Sequence, residues 1–202
     1  MYRGSGPRIF PIIVVILVIA LVVAALVSVG RMIFAGGGTS STDAGETTDA
    51  VVTALRDTSE GRAVRWTVRG PIVADENFRS YQITVSPSKR TFTIYSGYLD
   101  QVLDTKTYGN NTAGYEQFVY ALDKANAGVT RKAKDADFRG VCATQGFAYK
   151  FETMSGTDNA DHTLWTTSCS GSKGTMTANV GQIQALFVNQ IPDFKPVFNN
   201  IY

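Results

Sequence analysis

Residues 81–95 read YQITVSPSKRTFTIY. Tyr81, Ile83 and Val85 alternate with Gln82 and Thr84, and Phe92 and Ile94 alternate with Thr91, Thr93 and Tyr95, the period of two that buries one face of a strand. Between the runs, Ser86-Pro87-Ser88 has the chemistry of a turn joining antiparallel strands. A hairpin with one apolar face needs a second layer to cover it, which points to an α+β fold built on an antiparallel sheet.

Upstream, Val64, Trp66 and Val68 alternate with Arg65, Thr67 and Arg69 until Gly70-Pro71 ends the strand. Before them, residues 49–59 carry Val51, Val52 and Leu55 on one helical face behind a Thr48 or Asp49 cap. Downstream of Gly97, residues 99–106 fit a third strand of the same meander. The polar run Tyr108-Gly109-Asn110-Asn111-Thr112 then leads into a helix with Tyr115, Phe118, Val119 and Leu122 on one face and Gly128 as its stop. Residues 129–139, rich in Lys, Arg and Asp, read as a solvated loop.

The second half follows a similar plan. Phe147, Tyr149 and Phe151 alternate with Ala148, Lys150 and Glu152; residues 155–161 read as a turn and 162–169 as a strand; Asn179 caps a helix with Val180, Ile183, Leu186 and Phe187 that stops before Pro192. The expected domain is one antiparallel sheet with two helices packed on one face, in two hairpin-helix units. The units differ too much in sequence to be a duplication. The tail keeps Phe194, Val197, Phe198, Ile201 and Tyr202, too apolar for free solution, and is expected to pack on the domain or on a partner.

At the other end of the chain, residues 9–29 read IFPIIVVILVIALVVAALVSV without a charge. That is the length a helix needs to cross a bilayer core, and Pro11 stands in the first turn, where its missing N–H costs little. Arg3, Arg8 and the amino terminus precede the run, and Arg31 and then Asp43, Glu46 and Asp49 follow it, a small bias that favours a cytoplasmic N-terminus. A signal peptide cut near Ile33-Phe34-Ala35 is the competing reading, against which the run is longer than an ordinary signal core. Ala20, Ala24 and Ser28 recur every four residues, the small-residue stripe that lets two membrane helices approach; common small residues in such helices are the plainer account. The expected organisation is a cytoplasmic N-terminus over 1–8, a transmembrane helix over 9–34, a Gly, Ser and Thr linker over 35–48 and an extracytoplasmic domain over 49–202.

Of nineteen basic residues, Arg3, Arg8 and Arg31 belong to the membrane end, leaving sixteen against seventeen acids outside. That balance excludes a general basic footprint for nucleic acid. The two cysteines, Cys142 and Cys169, both fall in the external part, where an even count reads as one disulfide. It would close a loop of twenty-eight residues and stabilise the domain by about 3–4 kcal/mol. Trp165, four residues before Cys169, is then expected to pack over the bridge.

Chemistry is sparse, and no enzyme, metal or cofactor is expected. His162 is the only histidine and follows Asp161 in a turn-like stretch. Ser170-Gly171-Ser172-Lys173 matches Ser-x-x-Lys in form, but its glycines indicate a loop rather than the helix start that chemistry needs. Residues 171–175 lack the spaced glycines of a phosphate loop. Asp158, Asn159 and Asp161 lack the distal glutamate of a calcium loop. Asn110-Asn111-Thr112 fits a glycosylation acceptor, a short pattern that arises often by chance. The aromatic set is more telling. Tyr95, Tyr98, Tyr108, Tyr115 and Tyr120 come from one part of the chain, and Tyr95, Tyr98 and Tyr108 are the expected binding surface, with packing at a rim as the plainer alternative.

The start PRIFPIIVVILVIALVVAALVSVGRMIF with its Gly/Ser linker, together with Gly140-Val141-Cys142, Tyr149-Lys150-Phe151-Glu152 and Leu164-Trp165-Thr166-Thr167-Ser168-Cys169, resembles single-pass proteins of Saccharibacteria and similar reduced-genome bacteria. The resemblance implies a bacterial surface and a contact role, and brings no site residues. The order of hairpins and helices is also similar, in topology alone, to emfourin-type inhibitors of metallopeptidases. The leading expectation is a membrane-anchored domain that binds a protein or envelope component. The alternatives are an inhibitor or regulator of an envelope peptidase, and a pilin-like filament subunit, which the Gly-rich break after Phe34 disfavours. Oligomeric state is not legible.

Overall fold

A computed structural model describes residues 47–135, 137–141, 146–156 and 158–194, all of which fall within the compact unit Asp43–Tyr202. The proposed span, with Ala20, Ala24 and Ser28, lies outside the described residues, as do Cys142 and the tail beyond Phe194. Among the described residues no helix is long and apolar enough to cross a membrane.

The domain is α+β. Helix α1 (Thr48–Arg56) precedes β1 (Arg62–Arg69); a 3-10 turn at Asp75–Asn77 leads to β2 (Arg79–Val85), β3 (Lys89–Ser96) and β4 (Gln101–Gly109); α2 (Thr112–Lys124) follows, then β5 (Ala148–Ser155), β6 (Asn159–Thr167) and α3 (Val180–Val188). The strands form one open antiparallel sheet in the order β4-β3-β2-β1-β5-β6. The distant pairing of β1 with β5 joins a four-stranded meander to a hairpin, with Trp66 opposite Phe151 and Arg65 opposite Glu152.

The expected alternation holds for the inner strands. Val64, Trp66 and Val68, Tyr81, Ile83 and Val85, Phe92 and Ile94, and Phe151 enter one core with Val51 and Leu55 of α1, Tyr115, Phe118, Val119 and Leu122 of α2, and Ile183 and Phe187 of α3. The helices therefore cover one face, where burying these side chains contributes about 1.5–3 kcal/mol each. Asn111 and Asn179 cap α2 and α3 by accepting from the Gly114 and Gln182 amides at 2.8 and 3.0 Å, bonds worth about 1 kcal/mol apiece.

Four expectations need correction. The short helix expected over 49–59 joins the expected pair on the same core, making three helices among the described residues, and the first unit is a four-stranded meander, so the plan is less symmetric than two hairpin-helix units. Thr47, not Thr48 or Asp49, caps α1, accepting from the Ala50 amide. Strand β4 runs on through Tyr108 to Gly109 because β3 offers partners that far, with Lys89 opposite Gly109. Strand β6 starts at Asn159, ahead of the predicted 162, because pairing with β5 overrides turn-like composition; a register shift between Thr153 and Met154 absorbs the irregularity.

The loop after α2 is more than a solvated connection. Thr130 bridges to Met176, the Arg131 amide donates to the Thr175 carbonyl at 2.9 Å, and the Met176 amide donates to the Trp165 carbonyl at 2.9 Å. These segments close the β6 edge of the sheet. Gly174 makes this possible: its φ is +58°, and a Cβ there would meet the Trp165 carbonyl and lie 2.6 Å from the indole Cε3. Gly174→Ala is expected to cost about 1–3 kcal/mol and lower the melting temperature by about 5 °C, measurable by thermal unfolding; an unchanged melt would refute this contact.

Candidate functional site

The face of the sheet turned from the helices carries the alternate residues Arg65, Thr67 and Arg69 of β1, Ser80 and Gln82 of β2, Thr93 and Tyr95 of β3, and Lys150 and Glu152 of β5. Strand alternation puts them there, and cross-strand neighbours organise them. Glu152, 3 % exposed, accepts from Arg65 Nε at 2.6 Å and pairs with Lys150 Nζ at 2.9 Å. Burial alone pushes its carboxyl up, but the Arg65 hydrogen bond and the charges of Lys150 and Arg65 outweigh that and hold it below the usual value. The Tyr95 hydroxyl donates to Gln82 Oε1 at 3.0 Å, and burial raises the phenol above its ordinary pKa, which keeps it a neutral donor.

At the end of the sheet where β1 leaves and β3 turns into β4, an aromatic stack is built from three separate segments. The Phe78 and Tyr98 rings stack at 4.2 Å and 21°, and Arg69 Cζ lies 4.9 Å from the Phe78 centroid. Tyr98 is fixed at both ends. Its amide donates to Asp75 Oδ1 at 2.7 Å, and its hydroxyl donates to the Val73 carbonyl at 2.8 Å and accepts from the Val73 amide at 3.0 Å. Arg69 Nη1 donates to both carboxylate oxygens of Asp100, at 3.2 and 3.3 Å, and Asp100 holds φ +53° in the turn, a conformation Asp tolerates better than most residues.

These groups border two adjoining spaces. A groove of about 420 Å³ is lined by Arg69, Ile72, Phe78, Tyr98, Phe138 and Arg139, among others. A well of about 130 Å³, sharing Arg69 and Phe138 with it, is lined by Thr67, Ser80, Gln82, Tyr95, Asp100 and Lys150. The groove is mostly apolar, whereas most of the side chains around the well carry polar groups. Within the well the Thr67 hydroxyl is buried and has no hydrogen-bond partner among the described residues. Two further depressions, of about 510 and 560 Å³, have no Phe, Tyr or Trp in their walls.

Of the three tyrosines expected to share a surface, Tyr95 lines the well and Tyr98 the groove. Tyr108 does not join them: it pairs with Arg90, packs against the core and donates to the Pro192 carbonyl at 3.3 Å. Tyr115 is buried, and Tyr120 is an exposed residue of α2 beside Lys124. Arg69, Phe78, Asp100 and Phe138 were not anticipated. Phe138 had one signal, as a large apolar residue inside a charged loop.

The remaining sequence features lie elsewhere. His162 is half-buried within β6 opposite Thr153 rather than in an exposed turn. Ser172 donates to Asp135 Oδ2 at 2.5 Å, and Asp161 pairs with Arg62 Nη1 at 2.7 Å. Among the described residues no group of His, Cys, Asp or Glu is placed to hold a metal. Asn110 Nδ2 donates to the Ser86 carbonyl at 2.7 Å, so the glycosylation-pattern asparagine is engaged in the fold. Cys169 follows β6 and is not a free thiol. No known protein family's model matches this sequence, and no curated protein matches it.

Proposed function

We propose that the chain is a membrane-anchored, extracytoplasmic, non-enzymatic binding domain whose groove and well take a saccharide unit of the cell envelope. The carrying observation is the junction of a fixed aromatic platform, Tyr98 on Phe78, with a well lined by the polar side chains of Thr67, Ser80, Gln82 and Tyr95. A sugar ring has the matching chemistry: an apolar face that stacks on an aromatic ring, and hydroxyls that both donate and accept. The cations around the site are already paired, Arg69 with Asp100, Arg139 with Asp137 and Lys150 with Glu152, which favours a neutral polyhydroxyl ligand over a free anion. The uncharged run over 9–29 supports the anchor. A bridge between Cys142 and Cys169 is part of the proposal, supported by Cys169 not being a free thiol.

The test is titration of the full chain in lipid nanodiscs with oligosaccharides released from bacterial envelope, followed by tryptophan and tyrosine fluorescence. Tyr98→Ala and Gln82→Leu are expected to weaken binding about 3- to 10-fold each, while Tyr120→Ala leaves it unchanged. Absence of saccharide binding by the folded chain, or binding indifferent to both groove and well variants, would overturn the proposal.

A further inference from the structure

We propose that the edge strand β4 pairs with β4 of a second copy, antiparallel and centred on Thr105, to form a two-fold dimer with a continuous sheet. Strand β4 is at the opposite edge of the sheet from β6, and none of its residues lines the groove or the well.

The two edges of the sheet are treated differently. Residues 174–176 lie against β6 and are paired in turn by residues 130–131, whereas β4 ends the strand order with no further strand beside it among the described residues. A nine-residue strand without proline offers its outward amides and carbonyls to another strand. Around it the surface is apolar: Leu99 is 96 % exposed, Val102 58 % and Leu103 54 %. Lysine on an edge ordinarily discourages pairing, and Lys106 alone would do so. Here Asp104 stands two residues away. The two residues face Ile94 and Phe92 on β3, on the same side of the sheet, and among the described residues neither makes an ion pair.

Backbone geometry and charge together select the register. Along a strand, alternate residues turn their N–H and C=O to the same edge, so an antiparallel partner of identical sequence is centred on a residue, never between two. Centring on Asp104 sets carboxylate against carboxylate, and centring on Lys106 sets ammonium against ammonium, both destabilising for residues directly opposite. Centring on Thr105 sets Asp104 opposite Lys106 of the second copy, and the two-fold repeats that pair. It also sets Leu103 opposite Thr107, and Thr105 opposite itself. Asp104, Thr105 and Lys106, which set the register, lie in the regular part of the ladder with β3, and Leu103 is the residue that the bulge between Ile94 and Tyr95 leaves without a partner on β3.

The register is testable with single cysteines in the full chain reconstituted in lipid vesicles. Across the two-fold, the Thr105 Cα atoms would lie about 4.5–5.5 Å apart, within reach of a disulfide. Thr105→Cys is therefore expected to give a covalent dimer under mild oxidation, beyond any background from the native cysteines. Thr107→Cys, whose copies would be about 13 Å apart, should not, but a mixture of Thr107→Cys and Leu103→Cys chains should. In the Thr105→Cys background, Asp104→Lys or Lys106→Asp is expected to lower dimer yield about tenfold, and the double exchange Asp104→Lys/Lys106→Asp to restore it. Equal cross-linking at 105 and 107, no dimer at 105, or failure of the double exchange to restore it would overturn the proposal. Those outcomes would give the edge to another occupant, such as residues 195–202 of the same chain.

Discussion

Replacing Glu152 with alanine is expected to cost the domain about 3–5 kcal/mol, the range for breaking a buried ion pair by removing one partner. Glu152 is 3 % exposed, and its two cations have side chains only 16 % and 22 % exposed. Alanine would leave Arg65 and Lys150 near each other with no anion between them. The loss thus measures the stranded charges more than the worth of the bridge. Replacing all three together, with Arg65→Met, Glu152→Leu and Lys150→Met, is accordingly expected to recover most of the stability. Chemical denaturation of Glu152→Ala and of the triple variant checks this; a triple variant as unstable as Glu152→Ala would show that the side chains matter for shape rather than charge.

The same carboxylate sets an acid limit. Because its folded pKa lies below the unfolded value, Glu152 contributes stability that is fully present above the unfolded pKa, about 4.3, and is lost as pH falls through the folded value. Denaturation midpoints measured downward from pH 6 should therefore fall through the acid range, and less steeply in the triple variant. A wild-type curve no steeper than the triple variant's would contradict the assignment.

Glu152 also shows where sequence legibility stopped. Its place in the alternation of β5 was readable, and alternation marks such a residue as solvent-facing. What buries it is Arg65 on β1, brought opposite by a strand pairing spanning 87 positions of sequence, which no local period reports. The inner strands were legible because one face of each is apolar. Strand β4 was harder, since an edge strand is exposed on both sides and its burial does not alternate before Lys106. The beginning of β6 was hidden by Asn159-Ala160-Asp161, whose turn propensity is overridden by its partner. At the site, Tyr95 and Tyr98 were singled out by type, but the platform needs Phe78 from the start of β2 and Phe138 from a charged loop. Those segments are adjacent only after the sheet forms.

Trp66→Ala is the second large effect, expected at about 3–5 kcal/mol for a fully buried large aromatic. Trp66 is 0 % exposed on the central strand β1, with Ile83 opposite on β2 and Phe151 opposite on β5. Its ring stacks on Tyr149 at 5.7 Å and on Phe187 of α3 at 5.9 Å, and Phe187 in turn meets Phe118 of α2 edge-on at 5.1 Å. One indole thus couples both halves of the sheet to two helices, and a cavity there cannot be closed by moving one element alone. Its Nε1–H has no hydrogen-bond partner among the described residues, an arrangement that costs about 1–3 kcal/mol. Trp66→Phe keeps much of the stacking and removes that unpaired donor, so its cost is expected to be about 1 kcal/mol or less. Urea denaturation of the wild type and both variants separates the contributions. A phenylalanine variant nearly as unstable as the alanine one would mean that the indole N–H is satisfied in solution and contributes to holding β1 in place.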